Sequence, residues 1–155
     1  GGSMRMMPTV GQTMVNDHFT HLTDGVRIVS PLIWECTRFC ISPRADRKAT
    51  AALVVAAGEL MDEFALEHFV GVFFSKMERV FSLSHIEADI LGVDQTAEAA
   101  GERIAVGVWE IRGETMVRNL ARVGISRDTS KAWFRASFNR NRVTAQDGID
   151  LRQCA

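Results

Sequence analysis

The feature that most constrains the fold is the run Trp34-Glu35-Cys36-Thr37-Arg38-Phe39-Cys40-Ile41, closed by Pro43. Its aromatic, β-branched and cysteine residues read as a buried strand. Yet it carries an acid and a base three residues apart. Charged side chains are rarely buried unless paired, so Glu35 and Arg38 mark either a site or a salt bridge at a strand edge. Alternate residues of a strand share a face, which sends Glu35 and Arg38 to opposite sides. Both can serve one site only if a bulge near Cys36 or Thr37 re-aims the strand, and one is expected there.

The rest of the chain surrounds this strand with alternating elements. Residues 2–7 read as a strand broken by Pro8, and 10–31 as a polar loop with a short helix near Met14–Phe19. A long helix is expected from about Asp46 to Glu67, with Leu53, Ala57, Leu60, Met61 and Phe64 at helical spacing. Phe69–Phe74 read as a buried strand. Met77 to Leu83 read as a helix with Ser75 as a possible N-cap, and Ile104–Ile111 as a further strand. Gly113 opens a helix that Gly124 ends, and a last helix runs from Asp128 to about Asn139. Strands alternating with helices imply an α/β sandwich, here a single domain over residues 1–155.

With 155 residues and 46% hydrophobic content the chain can bury a real core. A formal net charge of −1 gives no global attraction to nucleic acid or to an anionic membrane. The charge is uneven, with seven basic residues and one acid, Asp128, between Arg118 and Arg142. Three cysteines without framework spacing (Cys36, Cys40 and Cys154) fit a reducing compartment. No segment approaches the ~18 apolar residues of a membrane span. There is no signal-peptide pattern, and the expected location is the cytoplasm. His18 and His21, beside Asp17 and Asp24, have a spacing a metal could use, but they read as a solvated loop; no metal is expected. Cys36 has no base to make it a nucleophile.

Two further pieces precede the strand: Met4-Arg5-Met6-Met7-Pro8-Thr9, and Phe19 in the following loop. Together with Trp34-Glu35-x-Thr37-Arg38-Phe39, and more weakly Met77-Glu78-Arg79, this order resembles the acyl-homoserine-lactone synthases, the autoinducer synthases of bacterial quorum sensing. The resemblance implies an acyltransferase (N-acetyltransferase-like) three-layer sandwich, with a central mixed sheet whose strands splay to admit a pantetheine arm. It implies acyl transfer from acyl-carrier protein to S-adenosylmethionine, which is a substrate rather than a cofactor, followed by lactonisation. Family members usually carry about sixty residues before the arginine strand, so N-terminal elements are expected to be missing from this chain.

On that resemblance Glu35 is the candidate base or amine-orienting carboxylate, and Arg38 and Arg5 are cations for Glu35 or for the substrate carboxylate. The competing reading makes these three one structural ion-pair network. Thr37 is a candidate donor to substrate, Phe19 a cover for S-adenosylmethionine, and Phe73 part of the apolar acyl slot. Members that favour 3-oxo chains tend to have a threonine where this chain has Gly71. An unsubstituted or 3-hydroxy chain is therefore expected, with room for length. The carrier protein is acidic, so Arg44, Arg47, Lys48, Arg122 and Lys131, with Arg118 and Arg127, are candidates to dock it.

Two other functions compete. An N-acetyltransferase using acetyl-CoA has the same fold, but the glycines at 92, 101, 107, 113 and 124 lack the spacing of a pyrophosphate loop. A non-catalytic acyl-binding fragment is the third.

Overall fold

The computed structural model describes residues 1–46, 48–94 and 102–146, with residues 139–146 as helix backbone. Five strands form one sheet: β1 (Gly2–Pro8), β2 (Ile33–Ile41), β3 (His68–Phe74), β4 (Asp89–Asp94) and β5 (Ile104–Trp109), in the order β1-β2-β3-β5-β4. The β2–β3 pair is parallel and the other pairs are antiparallel, so the sheet is mixed.

Alternation along the strands builds two cores. Phe69 and Phe73 of β3, with Ala105 and Trp109 of β5, face a cluster completed by Val54, Val55, Ala57 and Met61 of helix α2 (Ala49–Glu63) and by Met116 and Leu120 of helix α4 (Gly113–Val123). Val70 and Val106, on the opposite face, pack with Val15 of the short helix α1 (Met14–His18) and with Leu22 of a 3₁₀ turn, Thr20–Leu22. Helices thus cover both faces, giving three layers. Helix α5 (Arg127–Gln146) packs outside α2, and α3 (Met77–Leu83) follows β3.

The long helix ends at Glu63, short of the expected Glu67, because the chain closes a Schellman cap there. The Leu66 N–H donates to the Met61 carbonyl at 2.9 Å and the Ala65 N–H to that of Asp62 at 3.3 Å. Ala65 holds the left-handed position at φ 49°, where glycine is the usual stop signal. At the other end, Asp46 Oδ1 accepts from the Lys48 N–H at 2.8 Å, a local turn that delays the helix to Ala49.

Three expectations need correction. Asp89–Asp94, read as no element, is the edge strand β4; its Ile90, Leu91 and Val93 are all exposed, so it lacks the half-buried alternation that marks a strand. Ser75 does not cap α3: the N-cap is Lys76, without a side-chain bond. The basic run from Arg118 is also not a free solvated stripe. Lys131 and Arg127 bond Asp62 at 3.1 and 3.3 Å, Arg127 also meets buried Glu59 at 3.2 Å, and Arg135 lies 3.8 Å from Glu63. The Lys131 hydrogen bond holds the Asp62 carboxyl below its ordinary range; burial opposes it, and the charges of Lys131 and then Arg127 add to the lowering. α5 is therefore fastened to α2 by charge.

Candidate active site

The strands β2 and β3 pair at Ile33–His68, Trp34–Phe69 and Glu35–Val70 and then part, although β2 continues to Ile41 and β3 to Phe74. Carbonyl and N–H groups on the facing edges of Cys36–Ile41 and Gly71–Phe74 are thereby released from the ladder at the centre of the sheet. Such groups need partners, and an extended amide-bearing arm supplies them.

A second irregularity shapes the same strand. Against β1, Ser3 pairs with Cys40 but Arg5 pairs with Thr37, so β2 carries one extra residue in this interval. Arg38 takes it up in the left-handed region at φ 52°. The bulge exists, one step beyond the Cys36–Thr37 expected from sequence.

Glu35 sits at the point of divergence and is fully buried. Its carboxylate does not pair with an arginine. Oε1 accepts the Val15 N–H at 2.7 Å and Oε2 the Met14 N–H at 3.0 Å. These are orphan donors of the first turn of α1, whose own N-cap residue, Thr13, makes no side-chain capping bond. A buried anion is thus satisfied by charge-assisted hydrogen bonds and by the positive end of the helix. The ion-pair network of the competing reading is absent: among the described residues Glu35 enters no salt bridge, and the exposed guanidinium groups of Arg5 and Arg38 make no hydrogen bond or ion pair.

Pairing nevertheless places several candidates on one face. Thr37 alternates with Glu35, and Arg5 lies opposite Thr37. Half-buried Phe19 packs on the cluster of Val15, Leu22, Val70 and Val106 on that same side. Asn16 holds the α1 segment in place: its amide bonds both the carbonyl and the N–H of Ile28, at 2.7 and 2.8 Å. Cys36 faces the other core, and burial, then the Glu35 charge, push its thiol from 9.0 up to about 12. It is protonated at any ordinary pH and is no nucleophile.

Gly71 and Phe73 lie on the α2 side of the cleft. The room expected above Gly71 is taken. A Cβ there would stand 2.7 Å from Cη2 of Trp109 and 3.2 Å from the Cys36 carbonyl oxygen. Sequence reading missed Trp109, because a tryptophan ending a strand looks like ordinary core. Beyond it, between α3, α4 and the β4 edge, lies a cavity of about 1120 Å³ bordered by Phe73, Phe81, Trp109, Ile86 and Ile90.

The basic candidates differ in how far they are engaged. Arg122, Asn119 and Thr115, on one face of α4, bond the carbonyls of Leu83, Ser84 and His85 at 2.5, 2.8 and 2.6 Å, closing the C-terminal end of α3. Lys131 and Arg127 serve the α2–α5 contact, and Arg118 bonds Glu114. Arg44 and Lys48 are exposed, with Lys48 Nζ 3.4 Å from the Val123 carbonyl. Arg47 lies outside the described residues. His21 bonds Asp94 at 3.3 Å, and among the described residues no His, Cys, Asp and Glu cluster could hold a metal. No described helix is long and apolar enough to cross a membrane.

A mixed sheet between two helical layers, with two parallel central strands splayed beside a bulge, is the acyltransferase (N-acetyltransferase-like) sandwich. Within that class the chain belongs to the autoinducer synthase family, whose model matches residues 1–110. It is 30% identical over 135 residues to an acyl-homoserine-lactone synthase of Rhizobium etli, covering 79% of this chain and spanning 60% of that relative's length. Among solved structures it is similar to BjaI, a CoA-dependent acyl-homoserine lactone synthase solved with SAM and isopentyl-CoA. The TM-score is 0.71 at 21% identity, over 87% of this chain and 68% of BjaI. The AHL synthase LasI gives a TM-score of 0.63 at 21% identity, over 75% of this chain and 61% of LasI.

Proposed function

We propose that the protein carrying this chain is an acyl-homoserine-lactone synthase, producing a quorum-sensing signal from S-adenosylmethionine and an acyl thioester, and that residues 1–155 are one domain of it. The match of the autoinducer synthase family over residues 1–110, which contain both splayed strands, carries the reading. In the first step the methionyl amine attacks the thioester carbonyl. The new C–N bond forms, the C–S bond breaks, and the thiol leaves with the proton shed by the amine. In the second, the methionyl carboxylate attacks its own γ-carbon and expels methylthioadenosine.

The role we give each residue follows from its place. Each oxygen of Glu35 accepts one N–H and keeps a second acceptor site. An amine entering at the divergence point can donate there, so Glu35 orients it or takes its proton. Arg5 and Arg38, unengaged among the described residues, hold the substrate carboxylate. Thr37 donates to the substrate from the same face, and Phe19 covers it. Backbone N–H groups freed at the splay face the thioester oxygen.

The donor we infer is acyl-carrier protein, because no pyrophosphate-cradling glycine loop is present in the sequence. Its acidic surface fits the exposed Arg44 and Lys48 with Arg47, while Arg122 and Lys131 are already engaged within the fold. A CoA thioester is the second reading, favoured by the shared fold of the CoA-dependent BjaI.

The test is methylthioadenosine release by the full-length protein with S-adenosylmethionine and matched acyl-carrier-protein and acyl-CoA donors. Release with the carrier donor at far higher kcat/KM, and its collapse in Glu35→Gln, supports the proposal. Preference for acyl-CoA selects the second donor. Transfer of an acetyl group to a simple amine, without methylthioadenosine, refutes the synthase.

A further inference from the structure

Trp109 stands between two spaces. On one side is the apex of the splay, where Gly71 comes close enough to β2 that an added Cβ would lie 3.2 Å from the Cys36 carbonyl oxygen. On the other is the cavity of about 1120 Å³ under α3 and α4. The indole tip reaches the apex and the ring also borders the cavity. It is 6% exposed and held by Phe81, 5.5 Å away between ring centroids, and by the edge of Phe73 at 6.4 Å. Phe73 and Phe81 themselves meet edge-on at 4.9 Å, completing a wall of three rings. Close-packed aromatic groups of this kind do not swing aside without cost.

We infer that Trp109 sets the length of the acyl group, so that the substrate is a short-chain acyl thioester, with the cavity behind the indole shut off from the cleft. The inference rests on the synthase reading. A chain threaded past Gly71 on the α2 side meets the indole within the first part of its path. Gly71 does not lengthen the slot, because the volume its missing side chain vacates is the volume the indole fills. Removing the indole joins the cleft to a space with a mixed border, charged and polar at Glu78, His85 and Glu114 and apolar at Phe73, Phe81 and Ile86, and an extended alkyl chain can lie along the apolar side.

The experiment compares the full-length protein with Trp109→Ala and Trp109→Phe. The first readout is the ratio of kcat/KM for dodecanoyl to that for butanoyl thioester. The second is calorimetric binding of dodecanoyl-pantetheine, which needs no turnover. The ratio should rise at least about tenfold in Trp109→Ala, and dodecanoyl-pantetheine binding should tighten by a similar factor. Trp109→Phe, which keeps a ring in the wall, should show a smaller rise in the same direction and decides the question if the alanine variant fails to fold. An unchanged ratio and unchanged binding in a folded variant overturn the inference. If the parent protein turns over no acyl thioester with S-adenosylmethionine, the synthase reading fails, and the binding arm alone decides whether the indole is the barrier.

Discussion

Replacing Glu35 tests the local architecture in a way that turnover alone cannot. Its two oxygens accept backbone N–H groups at 2.7 and 3.0 Å in a site without solvent. Hydrogen bonds to a charged group contribute about 1.5–3 kcal/mol each, and an orphaned buried donor costs a comparable amount. Glu35→Gln keeps one carbonyl acceptor but sets an NH₂ group against the other N–H. It should lose about 2–3 kcal/mol. Glu35→Ala orphans both donors and leaves a cavity, for about 3–5 kcal/mol. Urea unfolding at constant m-value measures both, and amide exchange at Met14 and Val15 should accelerate in each variant. Arg38→Gln, at an exposed position without a side-chain partner among the described residues, should stay within about 0.5 kcal/mol of the parent. A Glu35→Gln protein as stable as the parent, with Met14 and Val15 equally protected, would refute the capping argument. So would an Arg38→Gln loss equal to that of Glu35→Gln, which would restore the ion pair.

Other outcomes follow from the same geometry. At pH 8 iodoacetamide should label exposed Cys40 in the native protein but reach Cys36 only on unfolding, as peptide mass mapping will show. The unfolded thiol ionises near 9.0 and the folded one near 12, so the stability Cys36 contributes is complete below pH 9 and falls as pH rises toward 12. Arg127→Ala strips a partner from Glu59, which is 3% exposed and keeps Ser130 Oγ at 2.6 Å; the loss should be about 1.5–3 kcal/mol by urea melt. Arg135→Ala, whose contact with Glu63 is exposed at 3.8 Å, should change stability by less than about 0.5 kcal/mol. Ala65→Gly relieves a left-handed alanine in the α2 cap and should raise the melting midpoint, with a gain of up to about 1 kcal/mol.

What could be read from the residues divides along physical lines. The boundaries of α4 follow from local signals: Gly113 and Gly124 mark its ends, with Gly124 at φ 85°. The strand through Glu35 was legible because an acid in an apolar run demands an explanation. Its partner was not, because the answer is a pair of backbone N–H groups about twenty residues upstream, and backbone donors leave no mark in composition. Thr13 has the side chain of an ordinary N-cap, yet it leaves the first turn of α1 for a distant carboxylate to cap. The end of α2 was misplaced because alanine fills a position that glycine normally announces. β4 escaped because an edge strand exposed at Ile90, Leu91 and Val93 has no alternation to detect. The filling of the space over Gly71 needed tertiary placement: Gly71 and Trp109 are on different strands, and nothing in either segment predicts that the indole leans across.

The proposed synthase joins an acyl group to S-adenosylmethionine and closes the lactone ring. The deciding measurement is mass spectrometry of the products made by the full-length protein from S-adenosylmethionine labelled with ¹³C in the four carbons of its 2-aminobutanoyl moiety, the S-methyl carbon being left unlabelled. The expected products are an N-acylated lactone whose ring carbons carry the label and unlabelled methylthioadenosine in equal amount. A labelled open-chain acyl amide with no lactone, or no labelled acyl product from any thioester offered, would contradict it.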